Sequence, residues 1–206
     1  MTTLLAVKAH PLTPEASKSM NVFYAFIDQY QKSHPDDVIQ VLDLFQEDFP
    51  EIDYDIMTGW NTLAKGSEFQ SLTENQQKKI SRFNEATEQF LNADKLVIGN
   101  GLWNLNIPTR LKAWFDTINV AGKTFRYTDT GPIPLTQNKK ALHIQANGGI
   151  YEGQDFASQY VRNMLNFVGV NDVQQVFIEG ADYQPERTEE IVEKAVVRVQ
   201  EISTNF

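Results

Sequence analysis

The chain has 206 residues, 41% hydrophobic and 22% charged, enough to bury a core without staples and too apolar for global disorder, and it reads as one domain over residues 1–206. A formal net charge of −9 opposes binding to a polyanion, which excludes nucleic acid as a partner, and the absence of cysteine excludes disulfides, thiolate metal sites and cysteine nucleophiles. No apolar run approaches the roughly 20 residues that span a bilayer, and Met1-Thr-Thr-Leu-Leu-Ala lacks the charged start of a secretory signal, so a cytoplasmic protein with no membrane partner is expected.

Leu4-Leu-Ala-Val-Lys8 reads as a first, central strand, stopped by His10-Pro11 and Thr13-Pro14. The helix that follows carries Met20, Phe23, Tyr24, Ile27 and Tyr30 on one face and ends near Ser33-His34-Pro35. Its start is open between Thr13, an N-cap followed by Pro14 and Glu15, and the later Ser17-Lys18-Ser19. Val38 to Asp43 is a second strand. From Leu44 to Leu72 no long element is evident: Glu47, Asp48, Glu51, Asp53 and Asp55 read as a solvated acidic loop, while Phe49, Ile52, Tyr54 and Trp60 call for packing on a neighbouring element or subunit.

Thr73-Glu-Asn-Gln76 has the form of a capping box and opens a helix through Ile80, Phe83, Ala86 and Phe90. Lys95 to Gly99 is the third strand, and Pro108, placed as a first helical residue, opens a helix with Leu111, Trp114, Phe115 and Ile118 on its apolar face. Gly122 to Pro134 is a loop-rich connection. Lys140 to Ala146 is the fourth strand, a helix covers Phe156 to Phe167, Val173 to Ile178 is the fifth strand, and Pro185-Glu186 starts a last helix through Ile191, Ala195 and Val199.

Strand and helix thus alternate in an α/β pattern, a doubly wound, five-stranded parallel sheet with helices on both faces and a flavodoxin-like order of elements. Right-handed crossovers place the loops after strands one, three and four at one carboxyl edge, where ligands bind in such sheets. Ser17, Lys18 and Ser19 supply helix-start donors suited to phosphate. Leu102, Trp103, Asn104 and Leu105 form an aromatic-amide platform. Ala146, Asn147, Gly148 and Gly149 let backbone approach a flat ligand, since glycine has no side chain and tolerates positive φ. Together the loops make a mononucleotide site. Neither G-x-G-x-x-G nor a Walker A loop occurs. No hydrolase elbow or H-E-x-x-H occurs either, and His10, His34 and His143 are too scattered to suggest a metal cluster; His143, inside an apolar strand, reads as a satisfied core histidine.

Leu102-Trp-Asn-Leu105 followed by Ile107-Pro108, then Leu111-Lys112 and Phe115-Asp116, resembles the flavin-ring motif of the FMN-dependent NADH-azoreductases. Ala9-His10-Pro11 through Ser17-Lys18-Ser19 is similar to that family's phosphate loop, Ala146-Asn-Gly-Gly149 to its Ser-x-Gly-Gly motif, and Gly122 to Thr128 with Gly131-Pro132 to the pattern after the ring motif. Two positions depart: His10 stands where many members have serine, and Ala146 replaces the serine of Ser-x-Gly-Gly, each removing one expected hydroxyl contact.

The resemblance implies an FMN oxidoreductase that takes hydride from NADH and passes two electrons to a quinone or an aromatic azo compound; one flat ring with little room for two stacked aromatic ligands then predicts alternating half-reactions, and the aromatic residues of the acidic segment together with the family pattern predict a homodimer. The flavin carries the chemistry, so no side chain is assigned as an obligatory acid or base. Trp60, Phe125 and Tyr127 are candidates for the substrate wall. The alternative reading is a flavodoxin-like electron carrier with no small-molecule substrate of its own.

Overall fold

A computed structural model describes residues 2–206. Its strands are β1 (Thr3–Ala9), β2 (Val38–Asp43), β3 (Lys95–Gly101), β4 (Phe125–Thr128), β5 (Gly131–Pro134), β6 (Lys140–Asn147) and β7 (Asp172–Glu179). Its helices are α1 (Lys18–Ser33), α2 (Tyr54–Ala64), α3 (Glu74–Asn92), α4 (Thr109–Ile118), α5 (Phe156–Val168) and α6 (Thr188–Asn205). Five strands pair in parallel in the order β2-β1-β3-β6-β7, the expected doubly wound sheet. No helix among the described residues is long and apolar enough to cross a membrane.

Alternation along β1 shows why both faces are covered. Leu4 and Ala6 enter a core with α1 and α6, whereas Leu5 and Val7 enter the opposite core with α3, α4 and α5. Helices on both faces hold the sheet rigid and leave its carboxyl edge to the loops. The capping box of α3 forms as expected, Gln76 N donating to Thr73 Oγ1 and Thr73 N to Gln76 Oε1.

Three local expectations are corrected. The segment from Leu44 to Leu72 contains α2, capped by Asp53, whose Oδ1 accepts from Ile56 N at 3.0 Å. Among the described residues, four of the five acids in its first half are paired, Glu51 being the exception: Lys79 lies 2.5 Å from Asp53 and 2.6 Å from Asp55, Arg82 2.5 Å from Glu47, and Lys78 2.6 Å from Asp48. These cations share a face of α3, so helical spacing on one segment neutralises the other. The connection after α4 contains an antiparallel hairpin, β4 with β5, in which prolines are tolerated because each strand has only one partner. Helix starts also shift: Pro108 is the cap before Thr109, and Pro185–Arg187 is a 3₁₀ turn before α6.

Candidate functional site

Helix α1 begins at Ser17, not Thr13. Ser17 Oγ accepts from Met20 N at 3.4 Å and its carbonyl from Asn21 N at 2.9 Å, while the Thr13 carbonyl only closes a turn with Ala16 N. The N–H groups of Lys18 and Ser19 therefore start the helix with no intrahelical carbonyl to receive them. Beside them the buried hydroxyls of Ser17 and Ser19 lie 3.2 Å apart. Unsatisfied amides, two hydroxyls and the helix dipole converge on one point, which suits a phosphate. A wider groove of about 600 Å³ shares Ser17 and Lys18 with this site but is lined by three carboxylates, Glu15, Glu189 and Glu193, which outnumber the one cation and disfavour an anion.

At the end of β1, His10 is buried with its ring 5.3 Å from that of Trp103, edge to face. Its Nδ1 accepts from Leu12 N at 3.1 Å, which assigns the proton to Nε2. Burial, with a smaller contribution from the charge of Lys8, holds its pKa below the ordinary histidine value. His10 thus lines the cleft as a neutral ring with its proton on Nε2.

Trp103 and Asn106 exchange N–H···O bonds of 2.9 and 3.0 Å, and between them Asn104 and Leu105 take left-handed backbone, φ 49° and 63°. This is a two-residue turn of the primed kind. Asparagine suits it; leucine there costs about 1–2 kcal/mol, and the turn keeps Leu105 exposed at the cleft mouth. The Trp103 indole is braced by His10 and by Phe45, the latter with centroids 6.1 Å apart. It folds back over the end of β3, where a Cβ on Gly101 would come 2.8 Å from its Nε1.

Ala146 and Asn147 close β6, and the glycines follow. Their reason is space rather than backbone hand: neither Gly148 nor Gly149 has positive φ, but a Cβ on Gly148 would overlap the carboxylate of Asp182. The loop after β7 is stitched to this one, Asp182 N donating to Gly148 O at 3.2 Å and Gly180 N to Gly149 O at 3.1 Å.

Beneath the loops runs a buried polar chain that motif reasoning missed, apart from His143. Gln175 Nε2 donates to His143 Nδ1 at 3.0 Å, and His143 Nε2 then donates to Asn100 Oδ1 at 2.8 Å. Asn100 Nδ2 donates to Gln145 Oε1 at 3.1 Å, and Gln145 Nε2 to Asn147 Oδ1 at 2.9 Å and Asp155 Oδ1 at 3.0 Å. Asn147 Nδ2 ends on Glu179 Oε1 at 2.7 Å. Complete burial pushes the His143 pKa down to about 3, so the ring is the neutral, satisfied core histidine expected of it. Burial pushes Asp155 up, but donation from Ser158 Oγ, Ser158 N and Gln145 outweighs it and holds the carboxyl below the usual range. Asn147 is buried and its amide is engaged at both ends by Gln145 and Glu179, so the group it presents most readily to a ligand is its backbone.

The structure brings the expected residues to one cleft in two connected halves. His10, Ser17, Lys18, Ser19, Trp103, Ala146 and Asn147 line the half of about 290 Å³. Asn104, Leu105 and Gly149 line the half of about 390 Å³, and Leu102 and Gly148 belong to both. Trp60, Phe125 and Tyr127 do not join them in this chain. Trp60 packs 5.0 Å from Phe83 between α2 and α3, Phe125 is buried 4.8 Å from Phe167, and Tyr127 is exposed on the β4 hairpin. Aromatic composition marked those positions, but helix α2 and the hairpin turn them elsewhere. Tyr151, Asp182 and Tyr183 line the open half instead. The last two sit in the loop after the fifth sheet strand, which topology alone also places at the carboxyl edge.

A family model described as flavodoxin-like fold matches residues 2–202. The chain is 46% identical over 211 residues to an FMN-dependent NADH:quinone oxidoreductase of Bacillus licheniformis and 40% identical over 206 residues to one of Streptococcus suis, each match covering all of both chains. A crystal structure of an FMN-dependent NADH-azoreductase from Bacillus anthracis in complex with FMN superposes with a TM-score of 0.92 at 32% identity, covering 100% of this chain and 99% of that one. With its full length matched and its loops arranged as the motifs predict, the chain belongs to the flavodoxin-like family of FMN-dependent NADH:quinone oxidoreductases and azoreductases.

Proposed function

We propose that this protein binds FMN in the cleft and uses it to carry two electrons from NADH to quinones and to aromatic azo compounds, which are cleaved to amines. The observation that carries the reading is the convergence, at one sheet edge, of an anion-ready helix start, an indole-amide turn and a glycine loop free of side chains. Each fits one part of FMN. The helix start and the Ser17 and Ser19 hydroxyls hold the phosphate, Leu102 to Leu105 lie along the ring, and the backbone of Asn147 to Gly149 faces its polar edge.

When bound, the flavin accepts hydride from NADH and returns two electrons to the acceptor. The chain would orient it, and Leu105, Tyr151 and Tyr183 line the open half of the cleft through which donor and acceptor would reach it. The names of the relatives favour this oxidoreductase over an electron carrier. The purified protein should be yellow, with an FMN spectrum that NADH bleaches without air and a quinone restores; a colourless protein that takes up no added FMN sinks the proposal.

The same reading includes a homodimer in the cytoplasm, where NADH is available. Ile52, Tyr54 and Met57 expose apolar surface at the start of α2, as Leu105 and Tyr183 do at the cleft mouth. Twofold pairing is the commonest way to cover such surface. Light scattering at micromolar concentration should give twice the chain mass, and a monomer with full activity would overturn it.

A further inference from the structure

Three residues line both halves of the cleft: Leu102, Gly148 and Asp182. Of these, Asp182 alone has a polar side chain. Its backbone N–H is bonded to Gly148 O at 3.2 Å, its Oδ2 occupies the space a Cβ on Gly148 would take, and its Oδ1 stands 3.7 Å from Lys18 Nζ. The carboxylate is therefore placed between the phosphate end and the ring end of the cleft, with its side chain largely exposed to whatever occupies it. Nearby, Ala146 offers no hydroxyl where the family pattern has one, and the Asn147 side chain is committed to Gln145 and Glu179.

Resting on the FMN reading above, we infer that Asp182 is the acceptor for the hydroxyl groups of the ribityl chain, the polyol that joins phosphate to ring. A carboxylate only accepts hydrogen bonds, and a polyol passing it supplies several donors. Hydrogen bonds to a charged group are the strong ones, and they depend on no other polar side chain at this point of the cleft. The exposed pair with Lys18 contributes little by itself. When a phosphate occupies the start of α1, Lys18 has a second anion to face, and Asp182 is free to turn both oxygens to the polyol. The side chain missing at Gly148 is what gives the carboxylate its place.

The opposite possibility makes a different prediction. If Asp182 merely competes with phosphate for Lys18, removing it strengthens FMN binding and leaves a phosphate-free flavin unaffected. The test is titration of flavin-stripped protein with FMN, with riboflavin, which keeps the ribityl chain but has no phosphate, and with lumiflavin, which has the ring alone, following flavin fluorescence. Asp182→Ala should weaken FMN and riboflavin by a similar factor, about tenfold to a hundredfold, and leave lumiflavin unchanged. Asp182→Asn keeps one carbonyl acceptor and should lose less. Tighter FMN binding, unchanged riboflavin affinity, or an equal loss for lumiflavin would each overturn the assignment. Failure of the wild-type protein to bind FMN at all would instead sink the functional reading on which it rests.

Discussion

Glu179 holds Asn147 of the neighbouring strand, its Oε1 accepting from Asn147 Nδ2 at 2.7 Å, and the same carboxylate accepts from Tyr151 N at 3.1 Å and from Glu152 N. One side chain at the end of β7 thus ties down both ends of the glycine loop. Glu179→Ala leaves these donors without their acceptor and should cost about 1–3 kcal/mol of stability in urea unfolding. FMN affinity should fall with it if, as proposed, the loop backbone meets the polar edge of the ring. An unchanged unfolding midpoint together with unchanged FMN affinity would show that the loop is held by other means.

The two serines at the phosphate end separate by role. Ser19→Ala removes a buried hydroxyl that caps nothing, so FMN affinity should drop by about 1.5–3 kcal/mol with little change in folding. Ser17→Ala removes the N-cap of α1 as well and should add about 1 kcal/mol of destabilisation. Thermal unfolding of the stripped protein and FMN titration, measured on both variants, read the two effects apart. Equal FMN affinity in the double variant would remove the serines from the site.

Acid should destabilise the flavin-free protein through His143. Its folded pKa of about 3 lies below the ordinary histidine value of 6.5, so between those values the unfolded chain binds a proton that the native chain refuses. Stability from this group is complete above pH 6.5 and is lost as pH falls toward 3, with a slope of roughly 1.4 kcal/mol per pH unit. His10, also depressed, adds in the same direction. His143→Gln should lower stability near neutral pH yet flatten the slope between pH 6.5 and 5, and a slope equal to that of the wild type would refute the assignment.

With FMN held as proposed, the open half of the cleft, lined by Leu105, Tyr151 and Tyr183, would be the one place for both the donor and the acceptor. Hydride transfer requires the nicotinamide close against the flavin ring, so the oxidised nicotinamide must leave before a quinone enters. Double-reciprocal plots at several fixed acceptor concentrations should be parallel. Tyr183→Ala should change acceptor preference more than it changes reduction by NADH. Lines that intersect would mean both substrates bind together.

The order of strands and helices, the sheet they form and the phosphate, ring and glycine loops are legible in the sequence because each is a local signal. Apolar runs such as Leu4 to Val7 have only one way to be buried, from both sides, and right-handed crossovers then place the loops at one edge. Helix α2 was not legible, because its cap Asp53 lies within a run of acids whose partners, Lys78, Lys79 and Arg82, are on another helix. The directions of Trp60, Phe125 and Tyr127 likewise depend on which helix or strand each one packs against. Asp182, Glu179, Asn100, Gln145 and Gln175 carry no motif. They became visible only when β6 and β7 lay side by side, because a hydrogen bond between distant residues is set by strand register, which neither local composition nor spacing encodes.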